Sequence, residues 1–411
     1  MKKTLTVLLS LMLICVLFVS CGKKTTETSS STEKAVAKAT KIGFVVINDE
    51  SDQGYTWNFM NGMNAALEKL KAEGYNIELL VKRNTTESSI CKDYNTELAE
   101  EGCAVIFNNS YGFEPYMLEA AKEYPDVKFV GMTNCGGQFD NNTNTFNAFA
   151  SIYEGRYAAG VVAGLKLQEM IDNGKIKADQ AVIGYVGAFS FAEVISGMTS
   201  YFLGVRSVCP SATMKVYFVG TWGDATLEEA AANALIDKGA VMISQHSDTT
   251  SPALAAQKAG VFHTGYNTDM TGAAPNASIV SCRINWEPYF YTFIKNLIDG
   301  KKNNPDYTGT MAEGAVLLTE INEKIAAKGT KEKVEKVIEE LKSGKRQVFD
   351  TSTFTVEGKK LDHAFALDTD GDFTPDKEEA VYDGAFHESK FQSAPYFAIQ
   401  IDGIEWLNTA F

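Results

Sequence analysis

Asp52, Tyr55, Trp57 and Asn58 crowd into one short stretch, "NDESDQGYTWNFMNGM" (48–63). Carboxylate and amide groups pair with ring N–H groups and hydroxyls, and aromatic faces stack on flat rings. Other stretches carry the same mixture. "NNSYGFEP" holds Tyr111 and Phe113, "GAFSF" holds Phe189, and "QHSDTTSP" holds His246 and Asp248. "YNTDM" holds Asn267 and Asp269, "TWGD" holds Trp222, and "RINWEPY" holds Trp286. These residues offer non-covalent chemistry, a slot for a neutral heteroaromatic ring with or without a sugar. Phosphate suits them poorly, because the stretches have no Gly-rich cradle and little Lys or Arg.

Catalysis has no comparable signature. The chain has no G-x-S-x-G elbow, P-loop or H-E-x-x-H motif. His246 and Asp248 stand two residues apart, with no nucleophile placed beside them by a motif. The histidines and cysteines lack zinc-ligand spacing. An enzyme is not expected, nor a cofactor or a metal. In the tail, "DTDGDFTPDKEE" puts Asp368, Asp370, Asp372, Asp376 and Glu379 at calcium-loop positions. Phe373 stands where that loop needs glycine and no helix leads in, so a solvated acidic turn is the expectation.

Most of these stretches follow a short apolar run. Expected strands are 42–47, 77–81, 104–107, 127–131, 181–186, 214–219, 240–244, 261–265 and 278–282. Helical stretches lie between them. "MNGMNAALEKLKAEG" aligns Met60, Met63, Leu67 and Leu70 on one face, "TESSICKDYNTELAEEG" opens on a capping pattern, and "TLEEAAANALIDKG" is another capped helix. Strand–helix alternation implies parallel sheets built from right-handed βαβ units. The series runs twice, over 42–147 and 178–282, linked by the Ala/Gly-rich helix "IYEGRYAAGVVAGLKLQEMI". The expected fold class is α/β, with two Rossmann-like, doubly wound parallel-sheet lobes and a cleft where the strand-end loops face each other.

The chain begins with Lys2, Lys3 and the apolar run 5–19. This run is shorter than the roughly 20 residues that span a bilayer, and it describes a secretory signal over 1–20. Cys21 follows in "LFVSCGKK", which resembles the lipobox of bacterial lipoproteins and marks Cys21 for lipidation. The Ser/Thr-rich stretch that follows, to residue 40, reads as a flexible tether. Losing residues 1–20 removes two lysines and no acid, moving the formal charge from −14 to −16. That balance excludes nucleic acid as a partner, since its binding rests on basic groups. Among the five other mature cysteines one pair is possible, Cys103 with Cys135, both near expected strands.

"DQGYTWNFMNG", "YAAGVVAGL", "VGTWGDATLEEAAANALIDKGAVMISQHSD" and "TGYNTDM…APNASIVSCRINWEPYF" together resemble the basic membrane protein (Med) family. The resemblance implies a type I periplasmic-binding-protein fold with three hinge crossings. It implies a lipid-anchored binding component of an ABC importer, on the extracytoplasmic face of the cell membrane. A purine nucleoside, nucleobase or flavin-like ring is the implied ligand, an ABC permease the partner, and the lipid anchor the only membrane attachment. A monomer is expected. By the same resemblance Asp52 and Asn58 belong to the first-strand motif, Phe189 to the second-lobe loop that supplies a ring, and Asp269 to an acidic ligand-binding loop. Arg283 lies near the place where relatives carry a ribose-binding lysine. The expected lobes are 41–147 with 284–345, and 148–283 with 346–411.

Overall fold

The computed structural model describes residues 39–132, 143–370 and 374–410. Two parallel sheets dominate it. The first contains β1 (Thr40–Val45), β2 (Ile77–Lys82), β3 (Cys103–Asn108), β4 (Lys128–Gly131), β5 (Thr145–Ala150) and β11 (Asp306–Gly309). Their order is β2-β1-β3-β4-β5-β11, and every pair is parallel. The second contains β6 (Val182–Gly187), β7 (Thr213–Phe218), β8 (Met242–His246), β9 (Phe262–Tyr266), β10 (Ser278–Ile284), β12 (Val316–Leu318) and β17 (Ile404–Trp406). Its order is β17-β7-β6-β8-β9-β10-β12. The core of the second sheet thus repeats the first, with β7-β6-β8-β9-β10 answering β2-β1-β3-β4-β5. Only β12 runs antiparallel in it, against β10. Two ribbons, β13 (Phe365–Leu367) with β14 (Lys377–Glu379) and β15 (Val381–Tyr382) with β16 (Ala385–Phe386), complete the tail.

The nine expected strands all form, and β5, β11, β12 and β17 are additions to the two large sheets. The helices are α1 (Tyr55–Ala72), α2 (Ser89–Glu100), α3 (Glu114–Glu123), α4 (Ile152–Asp172), α5 (Ala192–Arg206), α6 (Ala225–Asp237), α7 (Ser251–Ala259), α8 (Glu287–Ile298) and α9 (Thr330–Lys342). Capping differs from expectation in one of them. The Thr86 and Ser88 hydroxyls bond each other, so α2 has no side-chain cap. The cap expected for α6 is supplied by Asp224, which accepts from the N–H groups of Thr226 and Leu227.

The chain passes between the lobes three times, from β5 to α4, from β10 to α8 and from β11 to β12. α8 packs on α1 in the first lobe, and α4 packs on β10 and α5 in the second. The boundary expected for residues 284–345 is corrected here. β12 bonds to β10, and α9 lies on α4, so the segment from 316 onward joins the second lobe. α4 and α5 meet backbone to backbone, because Gly160, Gly164 and Gly204 have no side chains to hold them apart.

The tail is fastened to the second lobe at two points. β17 extends the sheet beside β7. Glu388 accepts from the N–H groups of Tyr396 and Phe397 and from the Ser196 hydroxyl on α5. Burial pushes the Glu388 carboxyl up to about 7, against those three bonds, from an ordinary value of 4.5. A carboxyl whose folded pKa exceeds its unfolded pKa contributes stability fully below the unfolded value and loses it as pH rises through the folded one. Glu388→Gln is therefore expected to be less stable than wild type at pH 5, with a gap that narrows by about 2 kcal/mol by pH 8. Thermal unfolding of both proteins across that range checks the sign.

No helix among the described residues is long and apolar enough to cross a membrane. Cys91, Cys103, Cys209 and Cys282 are buried. Cys135, considered as a partner for Cys103, lies outside the described residues, as does Cys21.

Candidate functional site

In doubly wound sheets ligands bind outside the carboxyl ends of the strands, where the strand order reverses. Here the reversals fall between β1 and β3 and between β6 and β8. The loops that leave those strands carry most of the residues singled out above.

In the first lobe, Asp52 makes α1 start earlier than the apolar pattern implies. Its Oδ1 accepts from the N–H groups of Gly54 and Trp57 at 2.9 and 3.1 Å, and its Oδ2 accepts from Thr56 at 2.8 Å. Burial raises its carboxyl pKa and the three N–H bonds oppose the rise. Asp52 is therefore a helix cap, a correction to its expected role at a ring edge. Asp49 and Glu50 bind Asn84 and Arg83 and fasten the same loop. Asn58 is 2% exposed; its Nδ2 donates to the Ile284 carbonyl across the hinge at 2.9 Å, and its Oδ1 has no partner in the protein. Tyr55 and Trp57 are half-buried in the first turn of α1, with Tyr55 edge-on to Phe59.

In the second lobe, Phe189, Phe191 and Trp222 form one aromatic group. Phe189 stacks on Phe191 at 5.0 Å, and Trp222 stands edge-on to Phe189. Tyr111 from the first lobe stacks on Phe191 at 5.2 Å. The Trp222 indole donates to Glu87 of the first lobe, whose carboxylate also accepts from Ser110 and Gly112. A Cβ on Gly54 would sit 1.7 Å from the Asp248 carbonyl oxygen, and one on Gly223 would sit 3.3 Å from Asn48 Nδ2. The lobes thus touch at four places across the mouth of the cleft.

Asp248 and Asn267 follow the carboxyl ends of β8 and β9, both buried, each with a side-chain atom that finds no partner in the protein. Burial pushes the Asp248 carboxyl well above the usual range, with added repulsion from Asp52, Glu228 and Glu193. Asn267 takes a left-handed backbone, φ 67°, which asparagine tolerates better than most residues. His246 lies deeper, with Nε2 3.4 Å from Glu193 Oε1 and its ring against Tyr266. Burial, with Arg156 adding repulsion, holds His246 well below its usual pKa, and burial pushes Glu193 up to about 7.

Three further expected residues are engaged elsewhere in the structure. Phe113 is wholly buried in the first lobe's core beside Cys91, Leu98 and Met117. Trp286 stacks on Phe59 at 4.4 Å in the core under α1. Asp269 is exposed, and its carboxylate accepts from the N–H and hydroxyl of Thr271, closing a local turn. Arg283 is half-buried, with a β-bridge to Leu317 on β12. The acidic tail does gather Asp368, Asp370 and Asp376, with ligand atoms within 4.8 Å of one another. Glu379 instead accepts from the N–H groups of Ala364 and Val381, and Asp372 lies outside the described residues. Sequence reasoning passed over Arg156, Glu193, Glu87, Phe191 and Tyr266. One signal was available for Arg156, a single charge within a stripe of small residues.

Two repeated parallel sheets, three crossings and a polar cleft at both reversal points define a two-lobed solute-binding protein of the type I periplasmic class. Residues 39–347 match the Bmp family, described as ABC transporter substrate-binding protein PnrA-like, and the chain belongs to that family. It is 32% identical over 276 residues to a purine-binding protein of Brucella abortus, covering 67% of this chain and 74% of that one. It is 27% identical over 338 residues to a protein provisionally named as an ABC transporter glucose-binding protein in Haloferax volcanii, covering 82% and 80%. A solved solute-binding protein of an ABC transporter system from Aeropyrum pernix shares the fold, with a TM-score of 0.64 at 14% identity, over 81% of this chain and 95% of that one.

Proposed function

We propose that this protein captures a purine nucleoside or nucleobase between its lobes and presents it to an ABC permease. A lipid on Cys21 would hold it at the extracytoplasmic face of the membrane. The carrying observation is the set of buried, unpartnered polar atoms that the loops and helix starts after the strands of both lobes contribute, Asn58 Oδ1, Asp248 Oδ2 and the Asn267 amide. An unmet buried polar group costs about 1–3 kcal/mol, and the edge of a heterocycle offers the donors and acceptors that would meet these. Nearby ring faces favour a flat ligand, since stacking adds roughly 1–3 kcal/mol per base. The purine-binding relative supports the same reading. A flavin-like ring would use the same faces. A sugar is the second reading, favoured by the name of the Haloferax relative.

Ligand-free protein should be heated with hypoxanthine, adenine, inosine, adenosine, riboflavin and glucose in turn. A ligand that binds only the folded state raises the midpoint. At least one purine is expected to raise it by about 5 °C or more at saturation. A rise with glucose alone would replace the purine reading with the sugar one.

A further inference from the structure

The tail follows the part of the chain that matches the family, and its segment 392–397 is unusual. It forms neither helix nor strand, yet every residue in it is buried. Irregular chain normally runs over the surface, because its buried N–H groups need partners. Here two carboxylates supply them. Glu388 takes the N–H groups of Tyr396 and Phe397, and Asp306 takes that of Ser393 at 2.9 Å.

The two acids belong to different lobes. Glu388 is tied to α5 of the second lobe through Ser196, whereas Asp306 stands on β11 in the first sheet. The Ser393 hydroxyl donates to Asp306 and accepts from the Asn147 amide on β5 at 2.7 Å. Asn147 also donates to Asp306, at 3.0 Å. β5 and β11 are the strands that lead into the first and third crossings. On both sides of Ser393 the tail rests on the second lobe. Phe349 and Phe397 stack at 4.5 Å, and Phe349 lies against Tyr153 at the start of α4. Further on, β17 runs along β7, and Asn408 exchanges hydrogen bonds with the Phe218 backbone. The Ala410 carbonyl accepts from Ser190, which sits between Phe189 and Phe191 at the cleft mouth.

We propose that Ser393 is a latch on the hinge, made when the lobes are closed and broken when they open. Bending falls in the crossings, so the tail travels with the second lobe while β5 and β11 stay with the first. The three hydrogen bonds of Ser393 tolerate little change in distance or angle, and opening shears them. The tail is thus a strap that biases the ligand-free protein toward closure. This rests on capture by lobe closure and not on which ligand the cleft takes.

The test uses the whole protein without ligand. Amide exchange is compared in wild type and in Gly54→Ala, whose added atom opposes approach of the lobes at the mouth. Exchange at Ser393 should be about tenfold or more faster in the variant. Leu407, whose N–H bonds Val216 within the second lobe, should keep its wild-type rate. Ser393→Asp, which sets a second carboxylate against Asp306, should give a larger radius of gyration in solution scattering than wild type. An unchanged rate at Ser393 in Gly54→Ala, or a wild-type radius in Ser393→Asp, would overturn the proposal. The exchange arm stands even where Ser393→Asp folds poorly. Neither arm needs a purine, so failure of the purine reading leaves the test intact.

Discussion

Gly54→Ala is expected to weaken ligand binding by about a hundredfold or more, roughly 2.7 kcal/mol at 1.4 kcal/mol per tenfold. The new Cβ would fall 1.7 Å from the Asp248 carbonyl oxygen, and backbone cannot swing aside as a long side chain can. The backbone at Gly54, φ −134° and ψ −112°, precedes α1 in the first lobe, whereas Asp248 belongs to the second. The collision therefore opposes approach of the lobes. The folded lobes themselves should survive, with an unfolding midpoint for ligand-free protein close to that of wild type. Calorimetric titration beside thermal unfolding separates the two effects. Wild-type affinity in this variant would mean that capture does not need the lobes to meet at this contact.

Gly160→Ala is expected to act on stability instead. Its Cβ would lie 2.0 Å from the Tyr201 carbonyl oxygen of α5, at a place where α4 and α5 approach through glycines on both sides. Overpacking usually costs about 1–3 kcal/mol, and contact with backbone belongs at the upper end. A loss of about 3 kcal/mol lowers the midpoint by roughly 6–12 °C. Gly272→Ala is the control. That glycine is exposed and nothing lies within 4 Å of the added atom, so the change should stay within about 0.5 kcal/mol. Equal midpoints for the two variants would show that the α4–α5 contact is looser than described.

The repeated strand–helix series was legible because buried parallel strands read as continuous apolar runs and the helices keep their own period. β11 and β12 were not. Each is only three or four residues long and is defined by its partner across a sheet, which no local pattern records. The return of residues 316–345 to the second lobe was hidden for the same reason. At the site, aromatic and amide residues at strand ends marked the cleft, and Tyr111, Trp222, Asp248 and Asn267 do stand there. Side-chain direction was the part that composition could not carry. Trp286 precedes α8 and turns into the core, where Phe59 supplies a stacking face. Asp52 and Asp269 each find N–H groups within a few residues, and a carboxylate satisfied by its own turn has little left for a ligand. Arg156 went unremarked because its neighbours in "GRYAAG" explain themselves as helix packing.

The most direct measurement is a crystal structure of the protein grown with the purine that stabilises it most. The ring is expected between the lobes, hydrogen-bonded to at least two of Asn58, Asp248 and Asn267, with Gly54 still against Asp248. A purine bound outside the cleft, or one whose edge touches none of those three residues, would contradict the account.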